Sequence, residues 1–265
     1  MKIHRGVQTP EHKGDTSREL LDMWQESGYC EIIDDDAGDV FLWANEPGDI
    51  LLYEYDRYDV YPNLPGHWKS GLFAGMQHRW PNAHPWIYWA RHPRKLEEKI
   101  HNGIKTYAER EIESIFLGKV ENRVQLANRT AHNWFEAIEL FNMPIAMGDS
   151  FNWPFTQDEY LEKVASTKFG LCLPGYGPKC NREIEYLGLG VVPVITEGVC
   201  TAYHDPLIEG KHYLRAETPQ EVQQAVKGCS EAQWQYLSYY GRQWYERNCS
   251  RLGSFETTKR IVESL

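Results

Sequence analysis

The chain has 265 residues, enough for one large domain or two small ones, each with its own core. Hydrophobic residues make up 42% of it and charged residues 25%, a balance that is ordinary for a globular protein and excludes extended disorder. Its formal net charge is −10 and it has no block of Lys or Arg, so a long phosphate backbone would be repelled and we expect no nucleic-acid partner.

The first hundred residues predict several strands, one helix and a long irregular stretch. A helix over 16–26 follows a cap at Asp15 or Thr16. The apolar runs predict strands over 2–4, 29–33, 40–44, 50–55 and 86–90. The acidic run 34–39 lacks the remaining ligands of a calcium loop, and we interpret it as a solvated turn. Prolines and glycines break the stretch 56–86, which is either a packed surface loop or an acceptor-binding region.

The second half alternates regularly between strands and helices. A helix over 94–110 is expected to join the two halves. The strands predicted after it are 112–117, 144–147, 169–173 and 191–195. The helices predicted after it are 128–141, 158–166, a helix opened by Asn181 and closing near 188 or 190, 219–227, 231–247 and 254–265. This alternation predicts an α/β fold with a parallel, doubly wound sheet and with its βα loops on one edge.

One βαβ unit, residues 167–197, carries most of the chemistry. The two strands are evenly apolar, as expected for strands covered on both faces. Between them, Asn181 is a suitable helix cap, and the helix N-terminus attracts anions. Arg182 and Glu185 follow on one helix face. These groups suit a nucleotide, with the diphosphate on the helix end and Arg182 and a ribose hydroxyl on Glu185. The alternative is a structural ion pair between Arg182 and Glu185.

The order of these features resembles a known family. A helix ending at 160–166 leads into KFGLCLPG (168–175), Arg182 precedes Glu185 by three residues, and a glycine-rich helix end leads into VVPVI (191–195). This pattern resembles the C-terminal half of exostosin-like glycosyltransferases, in particular their soluble members, and more distantly that of α1,3-fucosyltransferases. The resemblance covers roughly residues 110–250, and its specific part is 167–197. Residues 1–105 carry no family signature.

The resemblance implies two Rossmann-like domains that face each other across a cleft, the GT-B arrangement. Residues 1–105 would form the acceptor-side domain and 106–265 the donor domain, with the last helix packing back on the first domain. The implied activity is transfer of a sugar from a nucleotide-sugar, expected to be a UDP-sugar, to a hydroxyl of a glycan acceptor with inversion. The family also has a phosphate-binding basic residue after the first strand of the donor domain, which Lys119 matches best, with Arg123 and Arg129 behind it.

The loop before the helix at 181 supplies further donor-site residues. Gly175, Tyr176 and Gly177 form this loop, and glycine lets a backbone approach a phosphate closely, although a tight turn explains them equally well. The chain has no GxxxxGK[ST] loop and no GxGxxG after its first strand. The motifs that usually indicate a kinase, an ATPase or a dinucleotide-dependent enzyme such as a sugar epimerase are therefore missing. A non-catalytic carbohydrate- or nucleotide-binding module remains an alternative.

The general base and the metal requirement depend on the first half. A base that takes the proton of the acceptor hydroxyl is expected on a loop facing the cleft, and Asp15, Asp56 and His78 occupy such places. Aspartates at Asp-x-Asp spacing occur only in the polar run 34–39, far in sequence from the phosphate loops. We therefore expect no metal and no other cofactor, with cations and a helix dipole stabilising the departing diphosphate.

The remaining sequence signals concern location. The six cysteines show no CxxC pair and no neighbouring His at metal-ligand spacing, which indicates reduced thiols. The N-terminus has no apolar signal region, and no segment approaches 18 apolar residues. We expect a cytoplasmic protein without stable membrane insertion.

Overall fold

A computed structural model of the chain describes residues 2–5, 16–34, 41–45, 48–53, 70–73, 83–87, 89–118, 127, 154–175 and 177–264. Within these residues the protein has an α/β fold with two sheets and seven helices. The helix predicted over 128–141 and the strand predicted over 144–147 lie outside the described residues, as does most of the acidic run 34–39.

The first sheet is mixed. Its strands are β1 (Lys2–Arg5), β2 (Glu31–Asp34), β3 (Phe41–Asn45), β4 (Gly48–Tyr53), β5 (Ser70–Phe73) and β6 (Ala83–Pro85). In the described residues they lie in the order β2-β1-β3-β4-β5-β6, and β3 pairs antiparallel with both β1 and β4. The expectation that both sheets are parallel is therefore wrong for the first half. The turn signal at 45–48 accounts for the antiparallel pairing of β3 with β4, because these two strands form a hairpin.

The second sheet is parallel throughout its described strands, as predicted for this half. Its strands are β7 (Ile112–Ile115), β8 (Thr167–Cys172), β9 (Val192–Ile195) and β10 (Leu214–Arg215), in the order β10-β9-β8-β7. All three strand pairings are parallel, with Phe169 opposite Val192 and Leu214 opposite Val194. The carboxyl ends of these strands therefore meet at one edge of the sheet, which receives the loops that precede the helices.

Seven helices accompany the two sheets in the described residues. They are α1 (Thr16–Glu26), α2 (Pro93–His101), α3 (Gln157–Ala165), α4 (Asn181–Gly188), α5 (Pro219–Gly228), α6 (Glu231–Asn248) and α7 (Arg251–Glu263). Side chains cap several of their N-termini, for example at Thr156, where the hydroxyl accepts from the Glu159 amide and the Glu159 carboxylate accepts from the Thr156 amide. These caps are local signals, which explains why the predicted helix starts are close to the observed ones.

Both faces of the second sheet are covered. Successive side chains of a strand point to opposite faces, so Phe169 and Leu171 of β8 lie in a core with Val222 of α5 and Leu237 of α6. Cys172 of β8 lies in the other core, which includes residues of α3 and α4. Because both faces of the sheet are buried, the sequences of β8 and β9 are continuous apolar runs and do not alternate between apolar and polar residues.

The last helix packs against the first helix. The Trp24 indole donates a hydrogen bond to the Ser254 hydroxyl at 2.9 Å, and the ring of Trp24 meets that of Phe255 edge-on at 5.6 Å. The Trp86 indole donates to the Thr258 hydroxyl at 2.8 Å. Residues of α1, of 86–90 and of α7 thus share one core, which ties the two ends of the chain together.

Two predictions near the middle of the chain are wrong. The strand predicted over 86–90 is displaced, since β6 covers Ala83–Pro85 and the described residues after it are irregular. The helix predicted over 94–110 ends at His101, because Gly103 adopts a φ of 111° that ends the helical path. Within the described residues, every helix is too short or too polar to cross a bilayer.

Candidate functional site

The predicted site residues divide into two groups. Gly175, Arg182 and Glu185 are described, and all three follow β8 at the carboxyl edge of the second sheet. The other predicted residues lie outside the described residues: Asp15, Asp56, His78, Lys119, Arg123, Arg129 and Tyr176. The geometry below therefore concerns the donor side of the predicted site.

The loop from β8 to α4 is closed by backbone hydrogen bonds. The Gly175 amide donates to the Gly177 carbonyl at 3.2 Å, and the Cys200 amide donates to the Pro178 carbonyl at 2.7 Å. The second bond joins this loop to the loop that follows β9. Gly198 of that loop lies against Pro174, where a Cβ would come within 2.9 Å of the proline ring. The loops after two neighbouring strands are thus packed together at the sheet edge.

Cys180, and not Asn181, takes the cap position of α4. The Glu183 carboxylate reaches back and accepts from the Cys180 amide at 3.1 Å, so it pairs one of the backbone N–H groups that have no acceptor within the helix. Asn181 is the first helical residue, and its side-chain amide donates to the Trp89 carbonyl at 2.8 Å. Asn is a favoured N-cap residue, but here the side-chain amide of Asn181 instead binds α4 to the segment that follows β6 of the first sheet.

Arg182 is buried at the carboxyl end of β7. Only 8% of the residue is exposed. Its Nη2 donates to the Leu117 carbonyl at 3.1 Å, and the guanidinium lies 4.6 Å from the centre of the Phe116 ring. Gly118 borders the same group, because a Cβ there would lie 3.0 Å from Nη2 and 2.7 Å from the Phe116 ring. The side chain is therefore held in place by contacts on its Nη2 side and on one face.

The other two nitrogens of Arg182, Nε and Nη1, are buried donors for which the described residues supply no acceptor. Neither Nε nor Nη1 makes a hydrogen bond within the described part of the chain. A guanidinium stays charged in proteins and has five N–H donors, and unpaired buried donors cost free energy. Two neighbouring N–H groups, either of Nε and Nη2 or of Nη1 and Nη2, bind carboxylate or phosphate in a bidentate manner, and Nη2 has a second N–H besides the one bonded to Leu117. The side chain is thus equipped to bind an anion.

Glu185 is buried beside Arg182 but faces other partners. Its Oε2 accepts from the Tyr160 hydroxyl at 2.7 Å, and its Oε1 accepts from the Arg91 amide at 3.3 Å. Burial raises the pKa of Glu185, while the hydrogen bonds from Tyr160 and Arg91 and the charge of Arg182 oppose that rise. A carboxylate offers about four lone-pair sites, so two remain for a ligand.

Sequence reasoning missed two further charged residues of the same stretch. Lys179 is 1% exposed, donates from Nζ to the Ala202 carbonyl at 3.3 Å and lies 4.0 Å from the centre of the Tyr203 ring. Glu183 is also 1% exposed. The position of Lys179 directly after a glycine- and proline-rich loop was a signal that could have indicated it. Its burial could not have been predicted, since charged residues are usually exposed.

Four charged side chains are therefore buried within seven consecutive residues, namely Lys179, Arg182, Glu183 and Glu185. Two are cations and two are anions, so the formal charge of the cluster is zero. Such clusters are expensive to bury and concentrate at functional sites. Among the described residues, no group of three or more His, Cys, Asp or Glu side chains is arranged to hold a metal ion.

The position of the cluster fits a general rule for parallel sheets. Ligands of open α/β proteins bind outside the carboxyl ends of the strands, where helix N-termini point. The start of α4, the buried guanidinium and the two packed loops all lie at this edge. The arrangement can bind an anionic group and can offer hydrogen-bond acceptors beside it. Comparison of the chain with protein-family models and with curated proteins finds no match.

Proposed function

We propose that the protein is a glycosyltransferase that moves a sugar from a nucleotide-sugar donor to a hydroxyl of a glycan acceptor. The observation that carries the proposal is the buried guanidinium of Arg182, whose Nε and Nη1 have no acceptor among the described residues. A donor diphosphate would provide the missing acceptors. Charge that develops on this leaving group would then meet a preorganised cation in a site shielded from water.

The neighbouring groups support the same ligand. The N-terminus of α4 carries a partial positive charge that favours the diphosphate. The Glu185 carboxylate, with two lone-pair sites left, is a suitable acceptor for a ribose hydroxyl. The loop at Gly175 and Tyr176 would lie beside the phosphates, and Lys119, Arg123 and Arg129 would supply further positive charge. A UDP-sugar is the donor we expect.

The proposal includes two Rossmann-like domains facing across a cleft, with the acceptor side formed by residues 1–105. One residue of the first half, Asp15, Asp56 or His78, would take the proton of the acceptor hydroxyl. Reaction by direct displacement inverts the anomeric carbon. No metal is required in this scheme, so transfer should continue in the presence of EDTA, and loss of activity that Mn²⁺ or Mg²⁺ restores would contradict this part.

Donor binding is tested by the thermal unfolding midpoint in the presence of UDP-, GDP- and CMP-sugars. A ligand at about a hundred times its Kd stabilises the folded protein by about 2.7 kcal/mol, a readily measured shift. We expect one nucleotide class to raise the midpoint. If none does, the proposed donor site is wrong.

Arg182→Lys is the most informative variant, because it keeps the positive charge and loses the bidentate fork. It should weaken donor binding by about 1.5–3 kcal/mol while the fold survives. Arg18→Gln, which removes an exposed cation on α1, is the matched control and should leave donor binding unchanged. Equal affinity of Arg182→Lys and wild type would exclude the guanidinium from the site. Donor binding without sugar transfer to any glycan would indicate a binding module.

A further inference from the structure

The Glu185 carboxylate is held by two donors that come from different parts of the fold. The Tyr160 hydroxyl of α3 donates to Oε2 at 2.7 Å, and the backbone amide of Arg91 donates to Oε1 at 3.3 Å. Glu185 is 3% exposed and Tyr160 is 7% exposed. The short distance and the burial of both partners make the hydroxyl the stronger of the two restraints.

These hydrogen bonds favour the ionised carboxylate. Burial raises the pKa of the Tyr160 phenol well above its ordinary value, so the phenol stays protonated and acts as the donor. Burial also raises the pKa of Glu185, and the bond from Tyr160 is the largest effect that opposes this rise. The charged and titratable groups near Glu185 in the described residues include Arg182 and Tyr186 of α4, Tyr160 of α3, Arg91 before α2, and Tyr245 of α6. Burial raises the pKa of each of these three phenols well above its ordinary value, so the tyrosines are neutral where Glu185 titrates.

We infer that Tyr160 is a positioning residue of the donor site, whose hydroxyl orients the Glu185 carboxylate and keeps it ionised so that its free lone pairs can accept ribose hydroxyls. This inference rests on the proposed function. It adds a consequence, because the hydroxyl then sets the pH range over which the nucleotide binds. Without the hydroxyl, Glu185 would be protonated at a higher pH and would lose acceptor capacity there.

A purely structural hydrogen bond would also be lost in Tyr160→Phe, so the test needs a measurement that packing alone does not change. The ionisation of Glu185 is such a measurement, since it reports on the carboxylate itself. Tyr186→Phe is the matched control. It removes a fully buried tyrosine hydroxyl next to Glu185 in sequence, and that hydroxyl makes no hydrogen bond among the described residues.

The first measurement is a ¹³C NMR titration of the glutamate side chains, with the Glu185 signal assigned by its loss in Glu185→Gln. In Tyr160→Phe the midpoint of Glu185 should rise by roughly one pH unit, a tenfold increase in proton affinity. In Tyr186→Phe it should stay where it is in the wild type. A rise of the same size in both variants, or in neither, would overturn the role of Tyr160.

The second measurement is the Kd of the sugar nucleotide that stabilises the wild type, taken across the same pH range. Tyr160→Phe should bind roughly tenfold more weakly below the new Glu185 midpoint and should recover as the pH rises. Glu185→Gln should bind weakly at every pH, and the double variant should behave like it. If the Glu185 titration moves in Tyr160→Phe while the affinity does not follow, the positioning role is refuted.

Failure of this inference can be told apart from failure of the proposed function. If the wild type binds no sugar nucleotide, the proposed function falls and the role of Tyr160 in donor binding falls with it, whatever the titration shows. If the wild type binds the nucleotide normally but the Glu185 midpoint of Tyr160→Phe is unmoved, only the role of Tyr160 is wrong.

Discussion

Replacement of Arg110 is the sharpest test of what holds the second sheet and its helices together. The Arg110 guanidinium is 3% exposed and donates to four carbonyls at 2.7–3.2 Å, those of Lys105, Ala165, Thr167 and Leu189. The last three carbonyls lie at the C-terminal ends of α3 and α4 and at the start of β8. One cation thus satisfies acceptors at two helix ends, where the helix dipoles favour positive charge.

The cost of removing it follows from these contacts. Burial, together with the nearby charge of Arg242, lowers the pKa of Arg110 from its ordinary value to about 10, so placing the charge there costs about 3 kcal/mol. Hydrogen bonds to a charged group contribute about 1.5–3 kcal/mol each, and the four bonds more than offset that cost. Arg110→Met keeps an unbranched apolar stem in the place of the arginine stem but leaves the carbonyls unpaired. We expect the free energy of unfolding to fall by about 3–5 kcal/mol.

Urea unfolding monitored by circular dichroism measures this loss. Arg94→Met is the control, because Arg94 makes a bidentate pair with Glu26 at 2.8 and 2.9 Å in an exposed position, and such pairs contribute less than about 1 kcal/mol. The stability of Arg110→Lys should fall between those of the wild type and Arg110→Met, since an ammonium cannot reach all four carbonyls. Similar losses in Arg110→Met and Arg94→Met would refute the structural role of Arg110.

Two further predictions concern stability. A Cβ on Gly170 would lie 2.2 Å from the buried ring of Tyr186, so Gly170→Ala should destabilise the protein by about 1–3 kcal/mol or more. Gly228→Ala is the control and should not destabilise it, because nothing lies within 4 Å of a Cβ there. Similar unfolding midpoints of the two variants would contradict the packing of β8 on α4. Burial lowers the pKa of His212 from 6.5 to about 4, and its Nδ1 accepts from the Ile208 amide. The unfolded chain therefore binds the proton first, and stability should fall by up to about 3 kcal/mol as the pH drops from 6.5 to 4. His212→Asn keeps an acceptor near Nδ1 and should remove this part of the pH dependence of urea unfolding; an unchanged profile would assign it to other groups.

Much of the second half could be predicted because its signals are local. The evenly apolar runs around 169–173 and 191–195 indicate strands covered on both faces, and the structure confirms two parallel neighbours, β8 and β9. Local signals also decide one element of the first half, because the helix predicted over 16–26 has the same bounds as α1. Periodicity and caps within one turn decide such elements, so no distant contact is needed to predict them.

Most of the predictions that failed depended on contacts from elsewhere in the chain. The helix predicted over 94–110 ends at His101 because of the backbone conformation of Gly103, and Arg110, beyond that end, reaches carbonyls 55 to 79 residues further along. The pairing directions of β3 could not be derived from its apolar residues, because alternation in a strand does not specify its neighbours. Asn181 reads as a cap in isolation, and its bond to the Trp89 carbonyl comes from a segment 92 residues away.

The sequence by itself determined that a glycine-rich loop and a helix with Arg182 and Glu185 follow a buried strand. It also determined the composition of the four-residue charged cluster, since the side chains lie within seven residues. Only the tertiary structure decided that these charges are buried and that Arg182 and Glu185 face different partners. The reason is that burial and hydrogen-bond partners come from Leu117, Tyr160 and Arg91, which lie 25 to 94 residues away, and the side chains of α4 carry no local signal of that environment.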